Sequence, residues 1–264
     1  MKKQIPLVLV TGFLLFNLPF NVFANTAEER GLAIAKEIDR RDTGWDDQKA
    51  TLVMTLRNKH GDETNRENRM SSMEVKGEGD RSLIIFDTPK DVKGTAFLSH
   101  THALESDDQW LLLPALKRVK RVSSSNKSGP FMGSEFAYED ISSQEVEKYS
   151  YKYLKDEVIN GRDAFVIERF PAYKKSGYKR QLVWVDKEYY QPLKIDFYDR
   201  KNSHLKTLAY HDYKQYLGKY WRTSRMEMEN HQTGKSTTLT WKKYEFKTGL
   251  KNRDFNKNAL KRAR

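Results

Sequence analysis

The 264-residue sequence contains no cysteine, and apolar residues make up only 38% of it. The missing cysteine excludes a disulfide framework, a cysteine-based zinc or iron–sulfur site and a cysteine nucleophile. The mean hydropathy of −0.83 excludes an integral membrane bundle of helices. Aromatic residues, in contrast, reach 12%, which is too many for a disordered polyelectrolyte. The chain is therefore predicted to fold around a core that is rich in rings.

Acidic residues are outnumbered, with 36 Asp and Glu against 48 Lys and Arg and a formal net charge of +12. A basic balance of this size favours three kinds of partner: nucleic acid, a membrane surface or an acidic ligand.

The first two dozen residues predict export. Lys2 and Lys3 precede a mostly apolar stretch at residues 5–18, and Val22-Phe23-Ala24 forms a small-residue cleavage box. The apolar stretch is shorter than the roughly 20 residues that span a bilayer. We therefore predict a cleaved signal peptide at residues 1–24 and one domain at residues 25–264, located in the periplasm. No lipid-accepting cysteine follows the box, and nucleic acid is not an expected partner in that compartment.

Sequence periodicity predicts one helix followed by a sheet. Residues 26–40 have an N-capping Thr26, acidic residues in the first turn and basic residues in the last, and Gly44 stops the pattern. Apolar residues then alternate with period two, separated by turn signals such as Asn160-Gly161. These features predict a mainly β protein of the α+β class, with long consecutive strands in an antiparallel meander.

Residues 114–143 interrupt the meander. A basic strand leads into a serine-rich loop and then into a short helical turn that carries Phe131, Met132, Phe136 and Tyr138. Apolar side chains on such a loop are expected to plug the nearest open face of the sheet.

No catalytic constellation is found in the sequence. Gly234-Lys235-Ser236 resembles the end of a phosphate-binding loop but lacks its leading glycine. His100 and His102 share one face of a strand, as two metal ligands would, but no third ligand has motif spacing. The paired aspartates at 46–47 and 107–108 are expected in solvated turns. We therefore predict no enzyme activity, no metal and no cofactor, and keep a hydrolase or metal enzyme that uses the two histidines as an alternative.

Rings and basic runs remain to be explained. Many rings with few aliphatic residues suit a wide concave surface that binds an apolar ligand, although cross-strand packing of aromatics is the simpler alternative. The basic runs at residues 117–121 and 247–264 are either solvated surface or docking sites for an acidic partner or anionic lipid head groups.

Several stretches together resemble the outer-membrane lipoprotein-sorting protein family, which belongs to the LolA/LolB-like superfamily. The most specific of them runs from Trp110 to Asp140. The resemblance covers roughly residues 26–262, and the stretches that carry it are residues 94–98, 108–121, 131–140, 182–186, 192–195, 197–199 and 206–208, together with Asp254, Phe255 and Leu260.

This resemblance implies a strongly curved, half-open β-barrel with an N-terminal helix and short lid helices over its open face. It also implies a monomeric carrier that holds acyl chains of lipids or lipoproteins and receives them from an inner-membrane exporter of the RND/MMPL type. A sensor or transporter accessory of the same fold, with no carrier activity, is the alternative.

Candidate site residues follow from the rings near the break and from the resembling strands. The cavity and lid candidates are Leu98, Trp110, Leu112, Phe131, Met132, Phe136, Tyr138, Trp184, Ile195 and Phe197. Arg118 and Arg121 are expected to latch the lid through Glu139 and Asp140.

Overall fold

A computed structural model describes residues 25–123 and 126–262 of the chain. The predicted signal peptide at residues 1–24 lies outside these ranges. The described residues form two α-helices, α1 (Ala27–Asp42) and α2 (Lys257–Arg262). Its strands are β1 (Asp47–Arg57), β2 (Glu63–Met73), β3 (Arg81–Phe86), β4 (Ala96–His100), β5 (Asp108–Leu113), β6 (Arg118–Val122), β7 (Tyr149–Ile159), β8 (Arg162–Pro171), β9 (Tyr178–Asp186), β10 (Pro192–Asp199), β11 (His204–Tyr216), β12 (Tyr220–Asn230) and β13 (Lys235–Phe246).

All thirteen strands form one antiparallel sheet, in the order β6-β5-β4-β3-β2-β1-β13-β12-β11-β10-β9-β8-β7. Two meanders are thus joined where β1 pairs with β13, while β6 and β7 remain as the two edges of a curved sheet that does not close. The predicted fold class, a half-open antiparallel barrel with an N-terminal helix, is confirmed.

The N-terminal helix begins at the predicted cap. The Thr26 hydroxyl accepts a hydrogen bond from the backbone N–H of Glu29, and the Glu29 carboxylate accepts one from the backbone of Thr26. Gly31 lets α1 pack directly on the backbone of β7, because a Cβ at this position would lie only 2.8 Å from the Tyr153 backbone nitrogen. This contact sets α1 over one edge of the sheet.

Both faces of the sheet carry apolar clusters. The large inner cluster includes Phe86, Phe97, Val183 and Phe197. On the outer face, the C-terminal segment inserts Phe255 and Leu260 against β3, β4 and β5. A second outer cluster lies on β8, β9 and β10. Because both faces are buried, the alternation of apolar and polar residues along several strands does not indicate which face lines the inside of the sheet.

The chain crosses from edge strand β6 to edge strand β7 through the segment at residues 126–148, which we call the lid. The lid contains short 3-10 turns at Phe131–Gly133, Tyr138–Asp140 and Val146–Lys148. Phe131 and Phe136 are buried in the inner cluster. The plug that was predicted from residues 114–143 is thus present, and it fills the inner face beside the sheet opening. Among the described residues, none of the helices combines the length and apolar character required to cross a membrane.

Candidate ligand-binding site

A cavity of about 790 Å³ lies between α1, the end of the lid and strands β7 to β11. This volume is within the range of pockets that bury small ligands, about 300–1,000 Å³. The floor of the cavity is apolar and aromatic. The apolar lining residues on α1 and on strands β7 to β11 are Ala35, Ile38, Tyr151, Ile167, Val183, Pro192, Ile195, Phe197, Leu208 and Tyr210, and the others are Trp45, Val75, Ala103 and Val146.

Carboxylates surround the opening of this cavity. They come from the end of α1 and the loop that follows it, from the turn that joins β2 to β3, and from residues 145–147 of the lid. We call them the mouth carboxylates, and they are Asp39, Asp42, Asp46, Glu74, Glu78, Asp80, Glu145 and Glu147. Two basic side chains line the cavity in the described part of the chain: Lys76, in the turn that joins β2 to β3, and Arg169 of β8, which donates a hydrogen bond to the Gln181 side chain.

Some mouth carboxylates have structural partners. Asp42 forms an ion pair with Arg222. Glu74 accepts hydrogen bonds from the backbone N–H groups of Gly44, at 2.7 Å, and Asp46. Asp39, Asp80, Glu145 and Glu147, in contrast, form no ion pair among the described residues. Burial raises the pKa of three of these four carboxyls, Asp39, Asp80 and Glu145.

Asp80 is the most perturbed of these carboxyls. Burial is the largest cause, followed by the neighbouring Glu145, Glu74 and Asp42, and together they raise the pKa of Asp80 to about 7. The hydrogen bond from Ser143 acts in the opposite direction. In the native protein this carboxyl therefore holds its proton at a pH where the unfolded chain, with an Asp pKa near 3.9, has lost it.

We expect the free energy of unfolding to fall as the pH rises from 4 to 7, with Asp80 as a main cause, and to level above pH 7. The native state binds the extra proton in this window, so deprotonation costs it stability. Asp80→Asn should flatten this slope and be more stable than the wild type at pH 8, by on the order of 2 kcal/mol. Urea unfolding at pH 5 and pH 8 measures both effects, with the exposed Glu229→Gln as control. If the free energy of unfolding depends on pH equally in the wild type and in Asp80→Asn, the raised pKa of Asp80 would be contradicted.

Two adjacent acidic residues anchor the lid to the sheet. Glu139 is buried and accepts hydrogen bonds from the Tyr173 hydroxyl, the Ser176 hydroxyl and the Gly177 backbone N–H, each at 2.8 Å. Burial and the neighbouring Asp140 raise the pKa of Glu139, and the three donors oppose that shift. The loop before β9 is thereby tied to the lid.

Asp140 makes the second anchor. It pairs with the ammonium of Lys206 on β11 at 2.8 Å, and the two side chains are only 7% and 4% exposed. The Tyr178 hydroxyl on β9 donates to the same carboxylate at 2.9 Å, and burial raises the pKa of Tyr178 well above its usual value, which keeps the donor protonated. Lys206 also donates to the Glu135 carbonyl. Asp140 thus holds the lid on the middle of the sheet.

Glu139 and Asp140 have other partners than Arg118 and Arg121, which the sequence predicts. Arg121 pairs with Asp108 across the β5–β6 ladder, and Arg118 is exposed on the edge strand. The reason is register: Arg121 lies directly opposite Trp110, beside the end of β5, and not over the lid. The expected pairing of these arginines with Glu139 and Asp140 is corrected accordingly. The latch role of the two carboxylates stays a prediction, now with Tyr173, Tyr178 and Lys206 as donors.

Six of the ten cavity and lid candidates belong to the inner side of the sheet. Ile195 and Phe197 line the cavity. Phe131 and Phe136 are buried in the adjoining lid plug, and Met132 and Tyr138 pack against the same cluster. Their part in binding a ligand stays a prediction.

The other four candidates face away from the cavity. Leu98, Trp110 and Leu112 pack on the outer face under the C-terminal segment, and Trp184 belongs to the second outer cluster. Successive side chains on a strand point to opposite faces of the sheet. A candidate chosen one position away from a cavity residue therefore lies on the outer face. The inner neighbours are Phe97, Leu111, Val183 and Val185.

The lining residues on α1, β8 and β11 were missed by the sequence reasoning, as were the mouth carboxylates. Ile38 is one position of the helical stripe, and Leu208 lies inside a resembling stretch, so periodicity offered a weak signal for both. The carboxylates are scattered from residue 39 to residue 147 and form no motif.

The histidine pair has structural partners. The Nε2 atom of His100 lies 2.6 Å from the Phe255 carbonyl oxygen, and His102 lies beside Glu78 and Asp108. Across the two described ranges, no group of three or more potential metal ligands occurs.

In each aspartate pair one member differs from the solvated turn that was expected, whereas Asp46 is exposed just before β1. Asp107 forms a buried ion pair with Lys148 of the lid at 2.6 Å. Asp47 accepts hydrogen bonds from the backbone N–H groups of Thr248 and Gly249, which tie the chain after β13 to β1.

The two basic runs of the sequence lie close together. The α2 helix contacts β4 and β5 on the outer face, and β6 is the next strand. The Lys257 ammonium lies 4.9 Å from the centre of the Trp110 ring, and Trp110 is the cross-strand partner of Arg121. We call this area the basic surface, and its exposed cations are Lys117, Arg121, Lys251, Arg253, Lys257, Lys261 and Arg262.

A curved, unclosed antiparallel sheet with a lid over an apolar cavity defines a protein of LolA-like fold. The structure of a LolA superfamily protein from Nitrosomonas europaea shares this fold, with a TM-score of 0.70, 22% identity and coverage of 89% of this chain and 100% of that chain.

Two other solved structures are more similar in sequence. A protein domain described as a putative outer membrane lipoprotein-sorting protein, from Vibrio parahaemolyticus, has 59% identity and a TM-score of 0.87 and covers 89% of this chain and 99% of its own. A DUF1329 family protein from Desulfovibrio piger has 30% identity and a TM-score of 0.85, with coverage of 89% and 100%.

A family model with the description "-like: Uncharacterized protein" matches residues 78–262. No curated protein matches the chain. The chain belongs to the outer-membrane lipoprotein-sorting family of LolA-like proteins, and the resemblance noted in the sequence is confirmed.

Proposed function

We propose that the protein is a periplasmic carrier that holds the acyl chains of lipids or lipoproteins in its cavity and moves them toward the outer membrane. The observation that carries the proposal is the cavity of about 790 Å³ with an apolar floor, next to an anchored lid. The lipoprotein-sorting description of the relative from Vibrio parahaemolyticus supports the same class of cargo.

Hydrophobic transfer alone is sufficient to bind such a cargo. Each buried methylene contributes about 0.8 kcal/mol, so part of one acyl chain gives useful affinity without a specific polar partner. A carrier must also release its cargo, and a chain held without a covalent bond leaves when the cavity opens. The proposed function is therefore binding and transfer, with no enzymatic step and no cofactor.

The basic surface supports a proposal for the partner. We infer that an exported monomer docks through this surface on an acidic region of an inner-membrane exporter of the RND/MMPL type. Exposed cations of one sign steer such encounters and leave the cavity on the other face of the sheet free for cargo.

Binding of the neutral fluorescent probe N-phenylnaphthylamine to the purified protein tests the carrier proposal. We expect saturable binding, and displacement of the probe by lipids extracted from the bacterial envelope. Ile38→Trp should lower the affinity by about fivefold or more, because the indole occupies cavity volume next to the floor. Leu32→Trp, on the exposed side of the same helix, is the matched control. Equal binding by both variants, or no saturable binding by the wild type, would count against a ligand cavity.

The alternative is a sensor or accessory subunit of the transporter, which the basic surface also favours. The two functions differ in cargo transfer between vesicles of inner-membrane and outer-membrane lipids. A carrier accelerates transfer of a fluorescent lipid, whereas an accessory is captured by solubilised inner membranes without accelerating transfer.

A further inference from the structure

The cavity combines an apolar interior with an opening of one charge sign. A chain with a formal net charge of +12 attracts anions as a whole. The mouth carboxylates create the opposite local field where the apolar cavity meets water. A ligand in the cavity therefore contacts the apolar side chains and Arg169 of strands β7 to β11 on one side and mostly carboxylates on the other.

The unpaired mouth carboxylates face one another between the lid and the rest of the protein. Asp39 on α1 and Glu147 of the lid line the same cavity, and burial, followed by the charge of Glu147, raises the pKa of Asp39. Asp80, just before β3, is bridged to Glu145 of the lid by Ser143, whose hydroxyl lies within hydrogen-bonding distance of both carboxylates. A positive group between these two pairs would remove like-charge repulsion and join α1 and β3 to the lid.

We propose that the cavity selects amphiphiles with a cationic head group, with the chain on the apolar floor and an amine or guanidinium between Asp39, Asp80, Glu145 and Glu147. This inference rests on the proposed carrier function and names the class of its cargo. The shared chemistry fits both a cationic lipid and a lipoprotein whose acylated end is followed by basic residues.

An organic cation fits this mouth better than a metal ion. Throughout residues 25–123 and 126–262, the carboxylates do not converge into a group of three or more that can ligate one metal. Spread carboxylates suit an ammonium or guanidinium, which donates several hydrogen bonds in different directions.

Displacement of N-phenylnaphthylamine by matched ten-carbon ligands tests the inference. Decylammonium should displace the probe at a concentration about tenfold lower than decanoate, although the net charge of the protein favours decanoate, and added salt should reduce the difference. N-decanoyl-Lys-Lys-amide and N-decanoyl-Glu-Glu-amide extend the comparison to lipopeptides. The tighter of the two cationic ligands identifies which source of cargo the site fits.

Variants of the exposed mouth residues give the residue-level test. Asp39→Asn with Glu147→Gln should weaken decylammonium about fivefold relative to the neutral probe, whose affinity is measured in the same variant. Asp39→Lys with Glu147→Lys should reverse the preference toward decanoate. The control pair Glu67→Gln with Glu229→Gln removes two exposed charges from elsewhere on the sheet and should leave the preference intact.

The results separate this inference from the carrier function. Saturable probe binding with equal displacement by decylammonium and decanoate would overturn the selectivity for a cationic head group. The proposed carrier function would still be supported. Absence of saturable probe binding would remove both. A preference for decylammonium that persists after Asp39→Lys with Glu147→Lys would also overturn the inference, because the selectivity would then arise outside the mouth.

Discussion

Replacement of Lys206 by methionine is expected to destabilise the protein by about 3–5 kcal/mol, one of the two largest effects that we predict. Breaking a buried ion pair leaves an uncompensated charge, and that penalty is much larger than the net contribution of the pair. Asp140 would remain buried with only the Tyr178 hydroxyl and the Ala137 backbone N–H as donors among the described residues. The loss should appear in urea unfolding and in faster hydrogen exchange of the lid amides.

An exposed ion pair supplies the matched control. Lys242 and Glu67 are joined at 2.9 Å, about as close as Lys206 and Asp140, but both side chains are more than half exposed. Lys242→Met should therefore cost less than about 1 kcal/mol. The double variant Lys206→Met with Asp140→Leu should recover part of the loss, because apolar groups of similar volume often replace a buried pair without a penalty. A cost for Lys206→Met no larger than that for Lys242→Met would refute the latch.

This pair also shows what the sequence could not predict. A lysine in the alternating pattern of β11 reads as a solvent-facing residue, yet Lys206 points inward and is 3% exposed. Its partner lies 66 positions earlier in a segment with little regular structure. Only the path of the lid across the inner face brings the two together, and no local pattern encodes that path.

Local patterns did predict the elements themselves. The capping box at Thr26, the period-two strands and the aromatic break all have counterparts in the structure. Local patterns could not predict the pairing of β1 with β13. Hairpin signals specify only consecutive strands, and this pair joins the first strand to the last.

The choice of inner face failed on strands that are buried on both sides. Phe97 and Leu98 on β4 are both fully buried, one in the inner cluster and one under the C-terminal segment. The alternation of apolar and polar residues identifies the cavity face of a strand only when the opposite face is exposed to solvent. The outer cover formed by Phe255 and Leu260 comes from a short segment at the far end of the chain, so the ambiguity is resolved only by tertiary structure.

Replacement of Phe131 by alanine is the second large effect, with an expected destabilisation of about 3–5 kcal/mol. The ring is fully buried, with its centre 5.1 Å from that of Phe97, 5.4 Å from that of Tyr138 and 6.0 Å from that of Phe86. Truncation removes the ring contacts and leaves a void that these neighbours can fill only in part. Phe131→Leu should cost clearly less, since it keeps most of the apolar volume.

The same substitution separates the two anchors of the lid. Phe131 fixes the first turn of the lid by packing, whereas Glu139 and Asp140 fix the following turn by hydrogen bonds. Phe131→Ala should therefore speed hydrogen exchange of the amides near residues 129–134 more than of those near residue 177. A looser first turn should also shorten the residence time of a bound probe by several-fold, because the lid lies against the cluster that extends to the cavity floor. Met132→Ala, on the partly exposed neighbour, is the control. Uniform hydrogen exchange across the lid would show that the plug and the carboxylate anchors open as one unit. An unchanged residence time of the probe would show that cargo leaves through the acidic mouth without any movement of the plug.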